Sequence, residues 1–114
     1  MPYISVNTTV ALSEEQKDAV KTGLGQCITR LPNKTEKVLM VDISDRHTMY
    51  FGGSRQEKLA FIDVRMYGDT EFEHKKSFTE AVFASVCETC GLAPNQIFMT
   101  ITPFKEWGTG GSLK

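Results

Sequence analysis

Tyr3-Ile4-Ser5-Val6-Asn7-Thr8-Thr9-Val10, followed by Ser13-Glu14-Glu15-Gln16, decides the fold. Ile4, Val6, Thr8 and Val10 alternate with Tyr3, Ser5, Asn7 and Thr9, and a period of two rich in β-branched residues predicts a strand. Ser13 and Gln16 then form a capping-box pattern, with Glu14 and Glu15 suiting a helix N-terminus. Val20, Leu24, Cys27, Ile28 and Leu31 follow at helical spacing, which predicts a helix from about Ser13 to Leu31, ended by Pro32-Asn33. Gly23 and Gly25 weaken that helix by roughly 1 kcal/mol each relative to alanine, unless close packing on a sheet requires small residues.

Beyond this unit the pattern repeats. Val38 to Ile43, a nearly continuous apolar run broken by Asp42, predicts a strand buried on both faces. Thr48-Met49-Tyr50-Phe51 suits a short strand and Gly52-Gly53-Ser54 a turn; Leu59 to Tyr67 predicts a longer strand. Ser77 and Glu80 make a second capping-box pattern, ahead of an amphipathic series Phe78, Val82, Phe83, Val86, Cys87 and Cys90 that ends at Gly91. Ile97 to Thr102 predicts the last strand, before a glycine-rich tail, Gly108-Thr109-Gly110-Gly111-Ser112.

Strand, helix, strand, then strand, helix, strand again means duplicated βαβ units. Right-handed crossovers would place two helices on one face of a four-stranded mixed sheet, giving an α+β fold, a two-layer α/β sandwich. The other face would be bare, and with no third helix to cover its apolar residues, self-association through the sheet is expected.

At 114 residues the chain has room for a single domain, 1–114, and a domain of that size gains from a partner. Thirteen Lys and Arg against 14 Asp and Glu leave a formal charge of −1, which argues against nucleic-acid and polybasic membrane-surface binding. Three cysteines argue for a reducing compartment over a disulfide scaffold. The opening residues lack the pattern of a signal peptide, and no stretch approaches the ~18–20 apolar residues of a membrane span. A soluble, cytoplasmic protein is expected.

The candidate chemistry is sparse. Removal of Met1 would leave Pro2 as a secondary amine; burial and nearby positive charge would lower its pKa toward that of a useful base. Lys34, between helix and strand, could hold a substrate carboxylate, although most loop lysines are merely solvated. Cys87-x-x-Cys90 falls near a helix C-terminus, where the dipole disfavours a thiolate, so both cysteines read as small core residues. Cys27, His47 and His74 have no zinc-ligand spacing, and no metal or cofactor is implied.

Met1-Pro2 opening a strand, Asn7-Thr8 within it, Lys34, Met49-Tyr50-Phe51-Gly52-Gly53-Ser54, Gly68, Pro94 with Ile97-Phe98, and a tail with Trp107-Gly108 and Gly111-Ser112 together resemble the macrophage migration inhibitory factor family of the tautomerase superfamily. The resemblance spans the whole chain. It implies a homotrimer, its three sheets wrapped into a barrel-like core with active sites between neighbouring subunits. It implies Pro2 as general base and acid in keto–enol tautomerisation of a small aromatic or unsaturated 2-keto acid of the phenylpyruvate type. Lys34 would bind the substrate's acidic group, assisted by the Tyr67 backbone N–H. Tyr3, Val38, Phe98, Trp107 and Leu113 would form the pocket wall, some from a neighbouring subunit.

Three departures stand out. Phe98 replaces a tyrosine of the family's well-known member and cannot donate a hydrogen bond. Thr100 replaces an asparagine reaching in from the neighbouring subunit, which shortens that contact. The Cys-x-x-Cys after the Gly-Gly-Ser turn is absent, since Arg55 to Phe61 holds no cysteine, so a thiol-redox function is not supported.

The resemblance also carries a second function, a cytokine-like or host-modulating protein that binds a receptor, with release by a signal-peptide-independent route. A third, dehalogenation or decarboxylation of small unsaturated acids, would need arginines and a glutamate around the proline; no pattern in the sequence brings Arg55 or Arg65 there.

Overall fold

The alternation at the start of the chain becomes β1 (Pro2–Thr8), with Pro2, Ile4, Val6 and Thr8 buried and the residues between them half-exposed. In the computed structural model, which describes residues 1–114, β1 is a central strand. It pairs in parallel with β2 (Met40–Ser44) and antiparallel with β5 (Ala60–Tyr67), and β5 pairs in parallel with β6 (Ile97–Phe104), giving the order β2-β1-β5-β6. Helices α1 (Glu14–Cys27) and α2 (Phe72–Cys90) form the two crossovers. A small hairpin, β3 (Met49–Phe51) and β4 (Ser54–Gln56), turns at Gly52-Gly53, and a second, β7 (Gly108–Thr109) and β8 (Ser112–Leu113), turns at Gly110-Gly111.

Ser13 caps α1 as expected: the Gln16 N–H donates to Ser13 Oγ at 3.1 Å and the Ser13 N–H donates to Gln16 Oε1 at 2.9 Å. The α-helix ends at Cys27, earlier than Leu31, and tightens into a 3-10 turn, Ile28–Arg30. The cause is Pro32, which pushes Leu31 into an extended conformation (ψ 128°). The glycines of α1 prove to answer other neighbours than the sheet. A Cβ on Gly23 would collide with Ser85 of α2, and one on Gly25 with Glu36.

The second capping box does not form. Helix α2 starts at Phe72, one and a half turns before Ser77, whose hydroxyl instead accepts from Arg30 Nη1 at 2.9 Å. Its first turn buries no side chain in the core, Phe72 included, so apolar spacing does not reveal it. It is tied by Lys75 to Asp69 at 2.9 Å and by a Thr70–His74 hydrogen bond at 3.0 Å. The C-terminus is as expected, with Gly91 in the left-handed region (φ 69°) and its N–H donating to Cys87 O.

Strand β2 corrects a further expectation. Val38 lies in a 3-10 turn, and the strand is an edge strand buried on neither face: Val41 and Ile43 pack partly against the core, while Met40 and Asp42 stand exposed. Strand β6 runs past Thr102 to Phe104, because Pro103 lies in the outermost strand, where a missing N–H is tolerated.

Ile4 and Val6 of β1, Ile62, Val64 and Met66 of β5, Val20, Leu24 and Ile28 from the first crossover, and Phe78, Val82 and Val86 of α2 form one core, so both helices lie on one face of the sheet. Gln16 reaches Thr89 and Arg30 reaches Ser77, which makes the helices antiparallel. The opposite face is bare in the single chain, with Met40, Phe61, Phe98 and Phe104 exposed on it.

Candidate active site

Pro2 is buried at the first position of β1, level with Met66 of β5 and through it with Pro103 of β6. A cleft of about 680 Å³ opens beside it, lined by Met1, Pro2, Tyr3, Val38, Met40, Arg65, Phe104, Glu106, Trp107, Gly108 and Thr109. That volume suits a small molecule, and most of the wall is apolar.

Lys34 arrives from the turn after α1, where Asn33 takes a positive φ of 62°. Its ammonium donates to Tyr67 O at 2.9 Å, and the Tyr67 N–H donates to Met1 O at 3.3 Å. Lys34, the Tyr67 amide and the N-terminus therefore meet at one end of the central strands. Burial lowers the pKa of the terminal amine below its ordinary value, and the positive charge of Lys34, a hydrogen bond to it, and the charge of Lys114 lower it further.

Tyr3 donates its hydroxyl to Asp42 Oδ2 at 2.7 Å, a bond that raises the phenol's pKa. Arg65 lies with its guanidinium 5.8 Å from the centroid of the Tyr3 ring, and it donates two hydrogen bonds to Asp63. The structure thus brings Pro2, Tyr3, Val38 and Trp107 to one cleft, with Lys34 and Tyr67 beside it. Arg65 and Glu106 also stand in the cleft, whereas Arg55 lies on the β3–β4 hairpin. Pairing Tyr3 with Arg65 depends on the β1–β5 register, which local patterns do not specify.

Phe98, Thr100 and Leu113 are not brought to that cleft within the chain. Phe98 stacks on Phe51 with centroids 5.1 Å apart, in a wholly apolar hollow with Phe61 and Met49. It lies five residues along β6 from Pro103, which is level with Pro2, so roughly 17 Å away along the strand. Thr100 pairs with Asp63, and Leu113 sits opposite Gly108 in the terminal hairpin.

Cys27 and Cys90 are buried and Cys87 half-buried, and burial raises the pKa of all three thiols, which favours their protonated form. No three His, Cys, Asp or Glu side chains come together to hold a metal ion.

A four-stranded mixed sheet with two helices on one face, and a proline opening a central strand beside a cleft, is the architecture of the tautomerase superfamily. The chain belongs to the macrophage migration inhibitory factor (MIF) family, whose sequence model matches residues 1–112. Its fold is similar to that of MIF2 from Leishmania major, with 22% identity, a TM-score of 0.90, and coverage of 100% of this chain and 97% of that one. It is similar also to macrophage migration inhibitory factor from Toxoplasma gondii, at 24% identity, TM-score 0.84, and coverage of 98% and 99%. A third similar structure is Pt0534 inactivated by 2-oxo-3-pentynoate, at 15% identity, TM-score 0.85, and coverage of 96% and 93%. No curated protein sequence matches significantly.

Proposed function

We propose that the chain is a keto–enol tautomerase for phenylpyruvate-type 2-oxo acids, with Pro2 as the proton-transferring base and acid once Met1 is removed. The observation that carries this is the pair of contacts around Met1. The Tyr67 N–H now donates to the Met1 carbonyl, and Lys34 holds Tyr67 from the other side. Loss of Met1 would free that N–H next to a new secondary amine, where a substrate carboxylate or enolate oxygen would take the place of the Met1 carbonyl. Val38, Phe104 and Trp107 supply an apolar wall for an aromatic or unsaturated side chain, and in such surroundings the contacts to charge strengthen. That a structural relative is inactivated by a 2-oxo acid supports the substrate class.

The neutral proline nitrogen removes the proton from the carbon next to the substrate carbonyl. Lys34 and the Tyr67 amide stabilise the negative charge that develops on oxygen, and the prolinium then returns the proton to that oxygen. A chain freed of Met1 is expected to interconvert the keto and enol forms of phenylpyruvate, and a chain retaining Met1 to be at least ~10²-fold slower. Mass spectrometry establishes which form is present. Equal rates for the two forms would refute the mechanism, and a purified natural chain that keeps Met1 would favour a receptor-binding role.

We further propose a homotrimer, as the family resemblance implies, supported by the bare sheet face on which Met40, Phe61, Phe98 and Phe104 are exposed. Sedimentation at micromolar concentration is expected to give three times the chain mass of 12.7 kDa, and a monomer would rule the assembly out.

A further inference from the structure

Only two charged side chains line the Pro2 cleft, Arg65 and Glu106. Lys34 is not one of them, because its ammonium is turned to the Tyr67 carbonyl beside the cleft. The register sets Arg65 opposite Tyr3, and Pro2 opposite Met66, so the arginine enters one strand position along from the proposed base.

Arg65 is held on two sides. Its Nε and Nη2 both donate to Asp63 Oδ2, at 3.2 and 3.1 Å. Its Cζ lies 5.8 Å from the centroid of the Tyr3 ring, and the Tyr3 hydroxyl in turn donates to Asp42 Oδ2 at 2.7 Å. The planar fork is thereby set in place before any ligand arrives, and it has less freedom to lose on binding. Both of its hydrogen bonds end on one carboxylate oxygen, and neither uses Nη1. Glu106, the other charged side chain of the cleft, forms no ion pair with it. A guanidinium has five N–H donors, so the edge made by Nη1 and the second Nη2 N–H stays open to a second carboxylate.

A 2-oxo acid brings two different oxygen groups. Lys34 and the Tyr67 N–H suit the single carbonyl oxygen on which charge develops, and a flat two-oxygen carboxylate suits the open edge of a guanidinium. We propose that Arg65 binds the substrate carboxylate in the Pro2 cleft, which leaves Lys34 and the Tyr67 N–H for the carbonyl oxygen. This deepens the tautomerase proposal and rests on it for the 2-oxo acid. It departs from the family resemblance, which gives the acidic group to Lys34. Asp63 and Tyr3 act through Arg65 as positioning residues.

The test uses 3-phenylpropanoate and 3-phenylpropanamide, which have the same shape, differ in charge and carry no keto group to turn over. Trp107, the only tryptophan in the chain, lines the cleft and reports binding by fluorescence. Arg65 is exposed, so on the chain as purified the carboxylate is expected to bind about 5- to 10-fold more tightly than the amide. Arg65→Met combined with Asp63→Asn, which together leave the net charge unchanged, should abolish that preference and alter amide binding little. Lys34→Met should keep most of the preference. Asp63→Asn alone should tighten the carboxylate about 2- to 3-fold, because the guanidinium loses a competing anion. A merely structural Arg65–Asp63 pair would give weaker binding instead. Equal binding of the two ligands by the parent chain, a preference that survives the double variant, or weaker carboxylate binding in Asp63→Asn would overturn the assignment. Failure of the tautomerase proposal shows separately, as carboxylate binding through Arg65 without turnover of phenylpyruvate.

Discussion

Replacing Pro2 with glycine is expected to lower kcat/KM for phenylpyruvate tautomerisation by at least ~10²-fold, the scale on which a positioned general base acts. Glycine is small enough to permit removal of Met1, so the variant still presents an N-terminal amine. What it loses is the secondary amine and the ring that holds the nitrogen rigidly at the start of β1. Lys34 and Tyr67 remain, because their contact uses the Lys34 ammonium and the Tyr67 backbone carbonyl. Substrate binding is therefore expected to change little, and the loss should appear in kcat. The pH profile carries a second expectation. Burial first, and then the Lys34 and Lys114 charges, lower the pKa of the present terminal amine, and the Pro2 nitrogen lies one peptide away. A base must be unprotonated to act, so activity falls as the pH drops through the amine's pKa. A lowered pKa moves that acid limb below the value for an ordinary terminal amine. Turnover in Pro2→Gly equal to that of the parent chain, at matched thermal stability, would remove Pro2 from the mechanism.

The elements that bury a stripe were legible in the sequence, and the long-range pairings were not. Ile4 and Val6 announce β1, and Val20, Leu24 and Ile28 announce the first helix, because each series faces the core at its own period. The first turn of α2 touches no core, so the periodicity begins at Phe78 and the sequence shows the helix only from there. Val38 to Ile43 is apolar enough to suggest two buried faces, but only its place at the edge of the sheet decides that Met40 is exposed. The site divides in the same way. Pro2 and Lys34 were singled out by local chemistry and joined by a family resemblance. Their junction depends on a contact across 33 residues, between Lys34 and Tyr67, and on the register that sets Arg65 opposite Tyr3. No local pattern singles out Lys114 at the end of the glycine-rich tail, and only the terminal hairpin folds it back onto Tyr67.

Phe78→Ala is expected to cost the fold about 3–5 kcal/mol, whereas Phe72→Ala, on the same helix, should stay within about 0.5 kcal/mol of the parent. Phe78 is fully buried in the core shared by both helices and the sheet, and Phe72 is 71% exposed. Truncating Phe78 removes apolar surface that folding takes from water, and it leaves a cavity that the surrounding side chains fill only in part. Truncating Phe72 removes surface that water already reaches. The loss at Phe78 is a large share of the roughly 5–15 kcal/mol that holds a domain together. At a urea slope of about 1–3 kcal/mol/M it moves the midpoint down by more than about 1 M, measured at one fixed protein concentration so that any assembly contributes equally. Should Phe78→Ala fail to fold, Phe78→Leu keeps the comparison open, because it retains most of the volume and should cost less than half as much. Equal losses at Phe72 and Phe78 would place the helix differently on the sheet. The consequence reaches the cleft, because β5 carries Met66 into this same core while its next residue, Tyr67, holds Lys34, Lys114 and the N-terminus. A loosened core in Phe78→Leu should therefore raise KM for phenylpyruvate before global unfolding is detected, an effect Phe72→Ala should not share.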